Sequence, residues 1–233
     1  MSKQSDLPTA RAPSAEVAAF LTEARARPPR AEGGRGRLVF ALDATMSRQP
    51  AWDLACQLQG EMFDAAARSG GLDVQLVYYR GHGEAQASRW VSDAGALKRL
   101  MTGIACHGGL TQIGRALDHA TRATVKAPVQ ALVFVGDAME EDADRLCHKA
   151  GELALRGTRA FMFHEGGDAA AARSFREIAR LTGGAWCRFD PGAAAQLREL
   201  LRAAAAYAAG GREALLRLAK TAGGAAALIG QMK

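Results

Sequence analysis

The chain has 233 residues, 48% of them hydrophobic and 23% charged, which is ample apolar material for one sizeable core. A single folded unit with terminal extensions is the expectation. No uninterrupted apolar run approaches the roughly 18 residues that span a bilayer, and the first 37 residues carry charge and proline throughout, which argues against a membrane span or signal peptide and for a cytoplasmic protein. The formal charge of +6 is half accounted for by residues 1–37, where Lys3, Arg11, Arg25, Arg27, Arg30, Arg35 and Arg37 outweigh Asp6, Glu16, Glu23 and Glu32 by three. Phe20 is the single aromatic residue among these arginines, so a base-stacking surface for single strands is not indicated.

In chain order, residues 1–36 read as a basic, largely flexible leader, with a short helix expected over 14–27 and a stop at Pro28-Pro29 before the linker Gly33-Gly34-Arg35-Gly36. The folded unit is expected over 37–209. Its strands are apolar runs rich in β-branched and aromatic residues: Leu38–Leu42, Val74–Tyr79, Ala131–Val135, Arg159–Phe163 and Ala185–Phe189. Helical patterns fall between them at about 50–69, 93–104, 112–124, 140–156, 170–182 and 192–209. Continuous apolar strands separated by amphipathic helices need a parallel sheet covered on both faces, so the fold class is α/β, doubly wound and mostly parallel. Val74–Tyr79 is followed after Gly81-His82-Gly83 by a second strand-like piece, Ala85–Val91, and so short a connection makes a hairpin with one antiparallel edge strand. Residues 210–233 form a helical tail with a small apolar end around Leu228 and Ile229, either packed on the domain or presented to a partner; packing is the preferred reading.

The candidate chemistry sits at strand ends. Asp43, Thr45 and Ser47 alternate just past the first strand, and extended backbone points such residues the same way, so three oxygen ligands converge. Hard oxygens with few carboxylates suit Mg²⁺, which keeps several of its own waters; Mn²⁺ is served by the same set. The strand Ala131–Val135 ends in Gly136-Asp137, a second acid at the same edge, and the crevice over the carboxyl ends of neighbouring first and fourth strands is where such sheets bind ligands. Between the two acids comes His107-Gly108-Gly109-Leu110-Thr111, a glycine-rich loop feeding a helix, which places the Thr111 hydroxyl as an N-cap, a metal ligand, or each in a different state. Glu140, Glu141 and Asp142 read as favourable charges in the first turn of the next helix.

Asp43-x-Thr45-x-Ser47, a lone Thr111 after a Gly-Gly loop and Asp137 after an apolar strand together resemble the metal-ion-dependent adhesion site of von Willebrand factor A-type domains. The likeness runs over residues 37 to about 205, antiparallel edge hairpin included, and is to the stand-alone intracellular bacterial type. It implies that Asp43, Thr45 and Ser47 hold a Mg²⁺ directly or through water, that Thr111 joins when ligand binds, and that Asp137 acts through a water. It also implies that an Asp or Glu of a partner protein fills the open coordination position, as in an adaptor with no catalysis of its own. The sequence departs from the family where Thr45 replaces the usual middle serine and where Arg48-Gln49-Pro50 follows instead of an early glycine. Arg48 stands where it would lower cation affinity or pair with the incoming carboxylate.

Two other function classes compete. Asp43 could be the phosphate-accepting nucleophile of a Mg²⁺-dependent phosphoryl-transfer or hydrolytic enzyme, but the second aspartate two residues on is missing, as are a P-loop and a Gly-x-Ser-x-Gly elbow. The basic leader could bind nucleic acid. The five histidines show no zinc spacing, Trp52, Trp90 and Trp186 read as core residues, and Cys56, Cys106, Cys147 and Cys187 as free thiols. Cys106, next to His107 and close to the Thr111 loop, is either an ordinary loop cysteine or a redox-sensitive one.

Overall fold

The computed structural model describes residues 34–232. The helix expected over 14–27, with most of the basic leader, lies outside the described residues. The described chain opens on β1 (Gly36–Asp43), passes through a 3-10 turn (Met46–Arg48) into α1 (Gln49–Leu58) and α2 (Gly60–Ala67), and then forms β2 (Leu72–Arg80) and β3 (Glu84–Val91). Helices α3 (Ala94–Thr102) and α4 (Ile113–Lys126) lead to β4 (Ala131–Gly136), followed by α5 (Ala143–Leu155), β5 (Arg159–Glu165), α6 (Ala169–Thr182) and β6 (Ala185–Phe189). The helices α7 (Ala194–Ala219) and α8 (Gly223–Ile229) come last. The one helix expected over 50–69 is thus two adjoining helices that meet at Gln59.

The strands make one sheet in the order β3-β2-β1-β4-β5-β6. All neighbours are parallel except β3, which runs antiparallel to β2 at the edge. The turn joining these two has Gly81 at φ +60° and Gly83 at φ +123°, conformations that only glycine adopts without strain. Side chains of β1 alternate between two cores, as the strand repeat of two requires: Leu38, Phe40 and Leu42 face one, Val39 and Ala41 the other. Trp52, Met62, Leu97 and Leu201, from α1, α2, α3 and α7, cover the first face, while Leu117, Leu146 and Phe175, from α4, α5 and α6, cover the second.

The abundance of alanine has a structural use in α7. Ala203, Ala204, Ala205, Ala208 and Ala209 are all buried, and the helix backbone at Ala208 lies so close to Gly36 that a Cβ there would overlap it. Small residues on both sides let helix and sheet approach closely. The helix leaves helical geometry at Gly210 and Gly211, and beyond this bend Leu215, Ala225 and Leu228 are buried in the same core. The tail packs on the domain. No described helix is long and apolar enough to cross a membrane.

The sheet order has one consequence for function. β1 is flanked by β2 on one side and β4 on the other, so the connections leaving β1 and β4 diverge and open a crevice above their carboxyl ends. Asp43 ends β1 there, and Asp137 directly follows β4.

Candidate functional site

Asp43 is buried, and its Oδ1 accepts the Thr45 N–H at 2.8 Å, a local turn that carries the chain out of the strand. Thr45 stays extended (φ −73°, ψ 160°), and its hydroxyl lies 3.5 Å from that of Ser47. The loop is held from two sides, since Ala44 N–H donates to the Tyr79 carbonyl at 2.9 Å and the Ala44 carbonyl accepts from His107 N–H at 3.0 Å. The three oxygens that the sequence proposes as ligands are therefore neighbours on one braced loop, with Ser47 on its exposed side.

Asp137 is half-exposed across the crevice. Burial pushes the Asp43 carboxyl above the usual carboxylate range; hydrogen bonds from Thr45 and the charge of Arg48 pull it back, and the charge of Asp137 pushes it further up. The two acids thus sense one another, as a shared cation site requires. His164 is fully buried beneath, with its Nε2 3.2 Å from the Asp137 carbonyl oxygen.

Thr111 is not an N-cap. The helix α4 begins at Ile113 with Gln112 in the cap position and no side-chain cap bond. The Thr111 hydroxyl instead accepts the Glu140 N–H at 3.0 Å, while Thr111 N–H donates to the Glu140 carboxylate at 3.0 Å. Glu141 supplies the missing cap from outside the helix, accepting the N–H groups of Ile113 and Gly114. The acidic run is therefore not the first turn of α5, which begins at Ala143 with Asp142 as its N-cap. The unpaired amides and positive end of α4 draw the carboxylate across. This reciprocal clasp ties the loop of Thr111 to the loop of Asp137, which carry two of the expected ligands. Glu141→Ala is expected to cost about 1–2 kcal/mol of stability, with faster hydrogen exchange concentrated at the amides of Ile113 and Gly114.

Sequence reasoning missed Glu165. It ends β5, and the register Gly136↔His164 sets it level with Asp137 at the same edge of the sheet. Its carboxylate accepts from Arg48, whose Nη1 also lies 3.6 Å from Asp137 Oδ2. Arg48 is 4% exposed, and its buried Nε has no hydrogen-bond partner among the described residues. An acid at the carboxyl end of a third strand was the available signal.

Two of the exposed large hydrophobic residues rim this crevice: Met46, between Thr45 and Ser47, at 67%, and Leu110, just before Thr111, at 51%. Cys106 is buried nearby, and burial together with the charges of Asp43 and Asp53 raises its thiol to about 11. This favours the ordinary loop cysteine over the redox-sensitive one. Cys106 is expected to resist iodoacetamide at pH 8 in the folded protein and to react on unfolding, as read by mass spectrometry. Of the tryptophans, Trp52 is buried, whereas Trp90 and Trp186 are half-buried under Arg37 and Arg176.

Among the described residues no group of three or more His, Cys, Asp and Glu side chains could hold a metal ion. A cation here would rely on hydroxyls as well as carboxylates. The oxygens present are of that kind, two acids and three hydroxyls, and they suit a hard divalent ion that keeps part of its water shell.

The sequence matches no family model and no curated protein. Solved structures do match. The SpRpn10 VWA domain is 14% identical, with 69% of this chain and 90% of that one covered at a TM-score of 0.56. An aerotolerance-related membrane protein from Bacteroides fragilis is 19% identical, with 73% and 98% covered at 0.55. Proximal thread matrix protein 1 from the mussel byssus, in a structure with a zinc-occupied MIDAS motif, is 16% identical, with 74% of this chain and 45% of that one covered at 0.55. The chain has the VWA-like fold, with the Rossmann-like sheet and the antiparallel edge strand that the sequence leads one to expect.

Proposed function

We propose that this protein is a binding module that grips an acidic residue of a partner protein through a divalent cation, Mg²⁺ or Mn²⁺, and carries no catalytic activity of its own. The observation that carries this reading is the convergence of Asp43, Thr45 and Ser47 on one braced loop, facing Asp137 across the crevice at the sheet's switch point. Asp43, Thr45 and Ser47 would hold the ion, with Thr111 and Asp137 completing the shell. The bound ion would supply a positive centre for a carboxylate from outside.

The surroundings favour binding over turnover. Asp43 is buried with one oxygen committed to Thr45 N–H, a poor posture for a nucleophile that must attack a phosphorus in line. Met46 and Leu110 offer apolar contact beside the charged centre, the usual make-up of a protein-binding patch. The four free thiols suit a reducing, cytoplasmic setting. The test is capture of partner proteins by the immobilised full chain in Mg²⁺, compared with EDTA and with Asp43→Ala. Both treatments should abolish the metal-dependent set of captured proteins; the same proteins held equally by the variant contradict the reading.

A further inference from the structure

Arg48 lies one residue beyond Ser47, and the 3-10 turn fixes its backbone by an N–H donated to the Thr45 carbonyl at 2.9 Å. Its side chain runs inward rather than out to solvent. Of the ion pairs among the described residues, Arg48–Glu165 alone has both side chains less than one-tenth exposed, at 5% and 7%. The same guanidinium reaches Asp137 at 3.6 Å, and its charge is felt by Asp43. One fixed cation therefore sits among three carboxylates, leaving a net charge of −2 when all are ionised. The buried Nε has no partner among the described residues, so the two acids do not fully satisfy the guanidinium.

We propose that Arg48 is a tethered cation that competes with the divalent ion for Asp137, so that loading the ion requires the guanidinium to leave Asp137 and rest on Glu165 alone. The inference rests on the cation-binding reading above and adds to it the residue that sets the affinity. In the ion's absence the guanidinium offsets the repulsion between Asp137 and its acidic neighbours. When an ion arrives, two positive groups compete for one carboxylate, and a charge this close in a partly buried site is felt strongly. Glu165 gives the arginine a place to remain, which keeps the exchange local to Asp137.

The test is calorimetric titration of Mn²⁺ into the metal-free protein, Arg48→Met and the double variant Arg48→Met/Glu165→Leu, with Asp43→Asn as the blank. Thermal melts confirm folding. Arg48→Met leaves a buried carboxylate alone and is open to misfolding, whereas the double variant removes the pair and keeps the net charge at −2. Tightening in the double variant therefore reads the release of Asp137 rather than added negative charge. Both variants are expected to bind Mn²⁺ about tenfold more tightly than the parent, or more. Binding confined to the two variants would also support the proposal. Unchanged or weaker binding in the double variant overturns it and leaves the cation site standing; no binding in any protein overturns the cation site itself.

Discussion

Glu165→Ala is expected to destabilise the fold by about 3–5 kcal/mol, because it leaves the Arg48 guanidinium buried without its main counter-ion. For a domain of this size that is a fall in melting temperature on the order of 10 °C. The pair is 5% and 7% exposed, so solvent cannot take over the role of the lost carboxylate. Asp137 at 3.6 Å is the only other acid that the guanidinium reaches among the described residues, and it is half-exposed and less able to compensate. The contrast with Arg48→Met/Glu165→Leu is the informative part: replacing both charges by apolar groups is expected to change stability little, since the desolvation cost of the pair disappears with its attraction. Thermal or urea unfolding in EDTA measures both, and equal stability of Glu165→Ala and the parent would show that the pair is not held as described.

Asp43→Asn is expected to abolish divalent-cation binding completely while leaving the metal-free fold as stable as the parent or more so. Asparagine keeps an oxygen to accept the Thr45 N–H, so the turn out of β1 survives. What it removes is a buried charge. Burial is the largest cause of the raised Asp43 pKa, ahead of the hydrogen bonds from Thr45 and the Arg48 charge that oppose it. A carboxyl whose pKa is higher folded than unfolded binds more protons in the folded state. The metal-free fold therefore loses stability from this group as pH rises through the window between the two pKa values. At neutral pH the parent bears that cost and the asparagine variant does not. Mg²⁺ should then raise the melting temperature of the parent and leave that of the variant where it was, because a ligand stabilises only the fold that binds it.

The sequence exposes local and repetitive features well, and the fold is made of these. β4 is apolar at every position because both its faces are covered, and its neighbours read the same way. The antiparallel edge follows from Gly81 and Gly83, whose positive φ makes a turn too short for a crossover helix. Asp43, Thr45 and Ser47 are legible from their alternate spacing after an apolar strand, but the strand itself stops at Asp43: the turn at Thr45 and the 3-10 turn over Met46–Arg48 are what set the three side by side. The features that escape are those joining distant loops. Thr111 to Glu140, α4 to Glu141, and Arg48 to Glu165 link positions 29, 28 and 117 apart, and no local periodicity encodes them. A threonine before a helix ordinarily caps it, and three acids before a helix ordinarily populate its first turn. Here an acid from the Asp137 loop takes the first role, which releases Thr111 to brace the site. Arg48 is visible in the sequence only as an awkward charge beside the ligands. Its meaning appears when β5 is placed next to β4 and Glu165 arrives beneath it.

The most direct measurement is a calorimetric titration of Mg²⁺ into the metal-free protein, with and without acetate, alongside Asp43→Asn. One saturable site in the parent, tightened by the carboxylate and absent from the variant, is the predicted result. A parent that takes up no Mg²⁺, or a variant that binds it equally well, would contradict a cation-mediated grip on acidic partners.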